Sequence, residues 1–173
     1  MSNREVMLSA LKEHTFPLLN EKGFTGKYPN FRRKLDGCIE LISFQANKWG
    51  GSFTIEVSAV FPGSSTPNYT LYDGVSEDTF GVEATDKRYR LHGMYAGWFY
   101  YRDVYQKSTL FLGKVYHDVP EKEAAHFIPP KGYKLVQRFG KNTAIEICKE
   151  INRQMELAYT WLADFESAKI KKI

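Results

Sequence analysis

The apolar residues between positions 7 and 19 recur at the three- and four-residue spacing of an amphipathic helix. Ser2 and Glu5 match a capping box, in which a hydroxyl and a carboxylate satisfy the first free backbone amides. Pro17 lacks an amide hydrogen, so we expect the helix to kink or restart near it. Gly23 is a natural helix stop. The chain therefore begins with a helical segment broken once.

A three-stranded antiparallel meander follows, over residues 31–35, 38–48 and 52–61. Polar and apolar residues alternate in the first and third of these runs, as in strands with one buried face. Asp36 and Gly37 form the dipeptide that favours a tight hairpin turn. In the third strand the apolar face carries Phe53 and Ile55, and the other face is polar.

The two-residue turn also fixes a register for the first hairpin. It places Leu35 opposite Cys38, and Arg33 opposite Glu40. A cross-strand ion pair of this kind, if it is exposed, contributes less than ~1 kcal/mol. The pairing explains one residue of the basic run 32–34 without a ligand.

The rest of the pattern predicts further strands and a long closing helix. The elements are a turn-rich excursion over 62–86, strands over 87–92, 97–105, 110–116 and 133–139, and a short helix over 118–127. Thr143 and Glu146 match a second capping box. The apolar stripe of the last helix is wider than a coiled-coil seam, because Leu157 and Trp161 lie outside it, and so favours packing on the sheet over dimerisation.

These elements predict an α+β fold in one domain spanning residues 1–173. We expect an antiparallel sheet, a meander of about five to seven strands, with the N- and C-terminal helices packed on one face. The length of 173 residues suits one domain.

Composition narrows the class of protein. The chain is 43% hydrophobic with a net charge of +4, values that exclude a disordered chain. It has no apolar run near the ~20 residues that span a bilayer and no visible secretory signal. Two cysteines, Cys38 and Cys148, make neither a disulfide framework nor a zinc site. We therefore expect a cytoplasmic protein that needs no cofactor.

The common catalytic motifs are missing from the sequence. The best group of metal-ligating residue types lies in and beside the predicted short helix and consists of His117, Asp118, Glu121, Glu123 and His126. Glu123 and His126 are three residues apart and would share one helical face. Asp118 and Glu121 already complement the helix dipole at the helix start, so His117, Glu123 and His126 remain as weak candidates. A metal-dependent hydrolase is therefore the alternative to a non-catalytic protein.

The polar face of the meander is the strongest candidate site. Gln45, Thr54 and Glu56 should point away from the helices, and Arg88 and Arg90 share one face if they belong to an adjacent strand. Two guanidinium groups there could bind a carboxylate or phosphate through paired hydrogen bonds. In the plainer alternative, both arginines only pair with Glu56 and other surface acids.

Trp98 belongs to a dense aromatic run over residues 95–102. Such a run could stack bases, sugars or a peptide. The alternative is ordinary packing, in which alternation would bury Trp98 and Tyr100 while Phe99 and Tyr101 lean on other parts of the protein.

Several short motifs resemble a bacterial family known as domain of unknown function 4304. They are the runs 16–19 and 22–24, Phe31-Arg32, Phe44-Gln45, Lys48-Trp49, Phe53-Thr54, 88–93 and Trp98. The resemblance covers the chain from the first helix to Trp98 and the closing helix in outline. It implies a sheet flanked by helices, and it supports Gln45, Arg88 and Arg90 as a shared surface. It implies no catalytic residue.

We therefore expect a non-catalytic binding domain that uses its polar, arginine-bearing sheet face for a protein or a small acidic ligand. Single-stranded nucleic-acid binding through Arg32, Lys34 and the tyrosines is a further alternative. The basic residues are too scattered for nucleic acid to be the expected partner. The sequence leaves open whether the protein is a monomer or a dimer.

Overall fold

The computed structural model describes residues 1–61, 81–85, 87–109, 113–119 and 123–170. The helices are α1 (Asn3–His14), α2 (Phe16–Glu21) and α3 (Lys141–Ile170), with a short 3₁₀ helix at Val82–Ala84. The strands are β1 (Thr25–Lys27), β2 (Asn30–Leu35), β3 (Cys38–Ala46), β4 (Ser52–Val60), β5 (Arg88–Arg90), β6 (Phe99–Tyr100), β7 (Val104–Thr109), β8 (Gly113–Asp118) and β9 (Tyr133–Gln137). The α+β class is therefore confirmed.

The strands form two sheets. The larger sheet has the order β1-β2-β3-β4-β5, and β6 also pairs with β4. The strands β8, β7 and β9 form a separate three-stranded sheet. The predicted strands over 110–116 and 133–139 overlap β8 and β9, whereas most of β7 lies between the predicted strands 97–105 and 110–116. A separate sheet was not predicted, because strand pairing across long loops leaves no local signal.

The described chain divides into two compact units. This division does not decide the number of domains, so the single domain stays a prediction. The first unit consists of Met1–Pro17, Ala46–Thr54 and His92–Ile151. The second consists of Leu18–Gln45, Ile55–Leu91 and Asn152–Ile173. Strand β4 and helix α3 each contribute residues to both units.

The N-terminal predictions hold in detail. Ser2 caps α1 and forms the capping box with Glu5, and the backbone amide hydrogen bond of Ser2 to the Glu5 carboxylate lowers the pKa of Glu5. Helix α1 ends before Thr15, α2 restarts at Phe16, and Gly23 follows with φ of +85°. The turn at Asp36 and Gly37 sets the predicted register of β2 and β3.

Helix α3 carries the predicted buried stripe but begins earlier than predicted. Its buried residues include Ala144, Cys148, Ile151, Met155, Ala158 and Leu162. The helix starts at Lys141, so Thr143 lies inside it and donates to the Arg138 carbonyl rather than capping it. The capping box at Thr143 and Glu146 was therefore wrong. Glu146 instead accepts from Lys149.

The predicted helix over residues 118–127 is not seen in the described part of that range. Asp118 ends β8, Glu123 has 3₁₀ geometry, and residues 124–126 form a turn. Residues 120–122 lie outside the described residues, as does the predicted excursion over 62–86 apart from 81–85. No helix in the described chain has the length and apolar character that a membrane span requires.

Candidate functional site

In the second unit, the two faces of the larger sheet can be told apart by what lies against them. Tyr89 of β5 pairs with Val57 in register, and its ring contacts Trp161 of α3 with centroids 5.8 Å apart. Helix α3 therefore covers the face that carries Val57 and Tyr89, as predicted. Arg88 and Arg90 flank Tyr89, and so they project from the opposite face.

Three predicted residues meet on that opposite face. Gln45 Nε2 donates to Glu56 Oε2 at 2.9 Å, and Arg88 Nη1 donates to the same oxygen at 3.0 Å. Glu56 stands opposite Arg90 in the strand register, with Arg88 one pleat away. We call Gln45, Glu56 and Arg88 the Arg88 cluster. The predicted placement of both arginines on one strand beside β4 is confirmed.

The Arg88 cluster lies at the boundary of the protein interior. The side chain of Glu56 is 12% exposed and that of Arg88 is 40% exposed. The carboxylate is therefore fixed by two donors, while part of the guanidinium group reaches solvent. This ion pair is also the arrangement of the plainer alternative, in which Arg88 is neutralised by Glu56.

The prediction of an open polar face is wrong for much of β4. Thr54 is 1% exposed, and Ser43, Ser52 and Ser58 are also buried. The same face carries Ile39 and Leu41, which pack with Val60 and with Val82 of the 3₁₀ helix. A residue from a distant loop thus covers part of the face. The Ser and Thr residues did not indicate whether this face is exposed or buried, because their side chains are small enough to be buried in a sheet.

The other face holds an ion pair that was predicted in register but not in environment. Arg33 and Glu40 are opposite each other on β2 and β3, and Arg33 Nε lies 2.5 Å from Glu40 Oε2. The side chain of Glu40 is only 2% exposed. The pair therefore has a buried glutamate and a largely buried arginine, and we call it the Arg33 pair. The sequence did indicate that these side chains face the apolar side of the sheet, because Arg33 alternates in phase with Phe31 and Glu40 with Ile42.

The surroundings of the Arg33 pair explain how these charges are tolerated. Arg33 Nη1 donates to the Lys22 carbonyl at 2.8 Å, beyond the end of α2, and the guanidinium carbon lies 4.8 Å from the Phe24 ring centroid. Tyr159 stacks beside Phe24. Burial, and then the nearby Glu156 charge, raise the pKa of Tyr159 to about 12. The pair is an internal structural element.

Trp98 lies in the first unit and forms part of a tight turn with Tyr95. Trp98 N donates to the Tyr95 carbonyl at 2.9 Å across Ala96 and Gly97, which both have positive φ. The predicted alternation of the aromatic run was wrong, because Phe99 is fully buried while Trp98 and Tyr100 are half-buried. Phe99 is buried because it pairs with Phe53 of β4 and their rings stack 5.5 Å apart.

Sequence reasoning missed a second ion pair, which is in the first unit and has a nearly buried arginine and a half-exposed aspartate. Arg102, nearly buried, forms an ion pair with Asp118 and donates to the Gly50 carbonyl at 2.8 Å. Gly51 has φ of +75°, and a Cβ there would also lie 2.0 Å from the Arg102 guanidinium, so this turn favours glycine. Burial, and then the Asp118 charge, raise the pKa of Tyr100. In the sequence, the Gly50-Gly51 dipeptide was the only indication that a side chain packs closely against this turn.

The predicted metal ligands are not assembled by the described residues. His117 packs against Phe127 with ring centroids 5.1 Å apart, and the His126 backbone amide donates to the Glu123 carbonyl. No group of three or more His, Cys, Asp or Glu side chains suited to a metal occurs within the described ranges. Both cysteines are buried free thiols, and burial raises the pKa of Cys148 to about 11.

Comparison with known proteins gives a family. No curated protein and no solved structure matches the chain. The family described as Domain of unknown function (DUF4304) matches residues 15–163, which include α2, both sheets and most of α3. The resemblance first indicated by the short motifs is therefore confirmed, and the chain belongs to the DUF4304 family.

Proposed function

We propose that the protein is a non-catalytic binding domain, and that the Arg88 cluster together with Arg90 binds a carboxylate group of a protein or of a small acidic ligand. The observation that carries this proposal is the geometry around Glu56. Two donors converge on one oxygen of a nearly buried carboxylate and hold an arginine at the surface.

The bond to Glu56 orients Arg88 for this role. A guanidinium group carries five N–H donors in a planar fork, and the contact with Glu56 uses only Nη1. The exposed part of the fork is suited to a second carboxylate bound through two parallel hydrogen bonds. Because Glu56 and Gln45 restrict the side chain before the ligand arrives, less conformational entropy is lost on binding.

The charge of the site favours an anion. Arg88 and Arg90 place two guanidinium groups on one face of β5, and guanidinium groups bind carboxylates through charge-assisted hydrogen bonds. Thr54, which is buried, has no place in the contact surface, so the proposed site is smaller than the whole polar face.

Calorimetric titration with succinate and with an oligoglutamate peptide tests the proposal. A site with one oriented arginine and a second cation should bind such probes with a Kd of about 1 mM, and more tightly if a partner adds further contacts. Binding of the peptide alone would indicate a protein partner, and equal binding of both probes would indicate a small acidic ligand.

The variant Arg88→Gln/Arg90→Gln should lose this binding, and Arg4→Gln/Arg138→Gln is the matched control. Arg4 and Arg138 are exposed, so the control removes the same charge from other places. Equal affinity in the wild type and the Arg88→Gln/Arg90→Gln variant, or a stability loss in that variant without a change in binding, contradicts the proposal.

A further inference from the structure

The separate sheet of the first unit gathers aromatic side chains on one face. Tyr105 of β7 is opposite His117 on β8 and Leu135 on β9, and Lys107 is opposite Tyr133. Residues opposite each other in a sheet project from the same side. Residues that lie far apart in the sequence therefore form one surface.

Phe127, from the segment before β9, completes this surface. Its ring lies 5.2 Å from Tyr105 and 5.1 Å from His117, nearly parallel to the imidazole at 14°. Tyr133 meets His117 edge-on at 6.2 Å. We call Tyr105, Lys107, His117, Phe127 and Tyr133 the aromatic sheet face.

The aromatic sheet face is open to solvent. His117 is exposed, and Tyr105, Phe127 and Tyr133 are half-buried. The adjacent Ile128 is 87% exposed. Aromatic rings that only filled the interior would be buried as Phe99 is, whereas these rings remain accessible to a ligand.

Lysine side chains lie on the aromatic sheet face and next to it in the sequence. Lys131 precedes Tyr133 by two residues, in the segment that leads into β9. Lys107 adds a cation on the face itself, and its side chain runs past Gly132. Lys107 and Lys131 are exposed and form no ion pair with any residue in the described part of the chain. Lys134 is opposite Gln106 and so projects from the other side of the sheet.

We propose that the aromatic sheet face binds single-stranded nucleic acid. Unpaired bases would stack on the accessible rings, and the lysines would neutralise the phosphates that follow the bases. A duplex hides the faces of its bases within its own stack, and an acidic peptide offers no aromatic bases to stack on the rings. This site is separate from Arg32 and Lys34 on β2, the residues that the sequence had indicated for nucleic acid.

Fluorescence anisotropy with a labelled oligothymidylate of about 15 nucleotides measures this binding directly. Two phosphate contacts, by Lys107 and Lys131, predict that log K falls with log salt concentration with a slope of about −1.4. The variant Lys107→Gln/Lys131→Gln should remove nearly all of that slope, whereas the matched control Lys12→Gln/Lys27→Gln should leave it unchanged. An equal effect of both variants would overturn the proposal, because the attraction would then come from net charge alone.

The contribution of the rings is tested separately with His117→Ala and its control His126→Ala, which both replace exposed histidines. Loss of one stacking contact should weaken binding of the oligothymidylate about 10-fold for His117→Ala, with the salt slope unchanged, and His126→Ala should bind as the wild type does. Absence of binding at low salt, equal or tighter binding of the matching duplex, or wild-type affinity in His117→Ala would each refute the site.

Discussion

The larger sheet carries an arginine–glutamate ion pair between neighbouring strands on each of its two faces, and the pairs differ mainly in their access to water. In the Arg33 pair the glutamate is 2% exposed and the arginine 25%, whereas in the Arg88 cluster the values are 12% and 40%. The same two residue types therefore serve an internal contact on one face and a candidate binding surface on the other.

The difference in exposure to water follows from the partners that each arginine finds within the protein. Arg33 bonds to Glu40 and the Lys22 carbonyl and lies over the Phe24 ring. Arg88 bonds to Glu56 and keeps part of its guanidinium group in solvent. A desolvated charge must be fully satisfied by the protein, whereas a charge at the surface can exchange water for a ligand.

The largest expected effect comes from breaking the buried pair. Glu40→Ala leaves the Arg33 guanidinium without its carboxylate and should lower the free energy of unfolding by about 3–5 kcal/mol, measured by urea titration. The double variant Arg33→Met/Glu40→Leu removes both charges and should recover most of that loss. If Glu40→Ala costs less than about 1 kcal/mol, the pair behaves as a surface pair and the contrast between the faces fails.

The next effect is a loss of stability at high pH that depends on Tyr159. Burial raises its folded-state pKa from 10.0 to about 12, so the unfolded chain releases the phenolic proton first and stability falls as pH rises through that window. Tyr159→Phe should remove up to about 2 kcal/mol of this dependence, compared by urea titration at pH values across the window. An unchanged pH dependence in Tyr159→Phe would mean that this region is more hydrated than described.

A smaller effect is expected at Glu56. Glu56→Gln keeps the shape of the side chain but removes the negative charge of the group that accepts hydrogen bonds from Gln45 and Arg88. This variant should lower the free energy of unfolding by about 1–2 kcal/mol. The variant should also weaken succinate binding, because Arg88 is no longer oriented. Tighter succinate binding would instead show that Glu56 competes with the ligand.

The smallest effect on stability is expected at Arg88. Arg88→Gln removes a partly exposed ion pair and should change the free energy of unfolding by less than about 1 kcal/mol. Thermal unfolding of this variant beside Arg4→Gln provides the comparison. A loss as large as that of Glu40→Ala would place Arg88 among the structural residues and remove the distinction on which the binding proposal rests.

The sequence by itself determined the features that depend on neighbouring residues. The capping box at Ser2, the helix break at Pro17 and the register set by Asp36 and Gly37 follow from local backbone geometry and hydrogen bonding. The same register placed Arg33 beside Glu40, and the two-residue spacing placed Arg88 and Arg90 on one face.

Only the tertiary structure decided which of these residues meet water. Val82 covers part of the polar face, and Phe99 is buried because it pairs with Phe53. The rings of His117, Phe127 and Tyr133 come together from strands and loops that are far apart in the chain. Alternation along a strand assigns side chains to two faces but carries no information about what packs on either one. Burial is decided by contacts between distant segments, and the chemistry of a charged or aromatic residue depends on that burial.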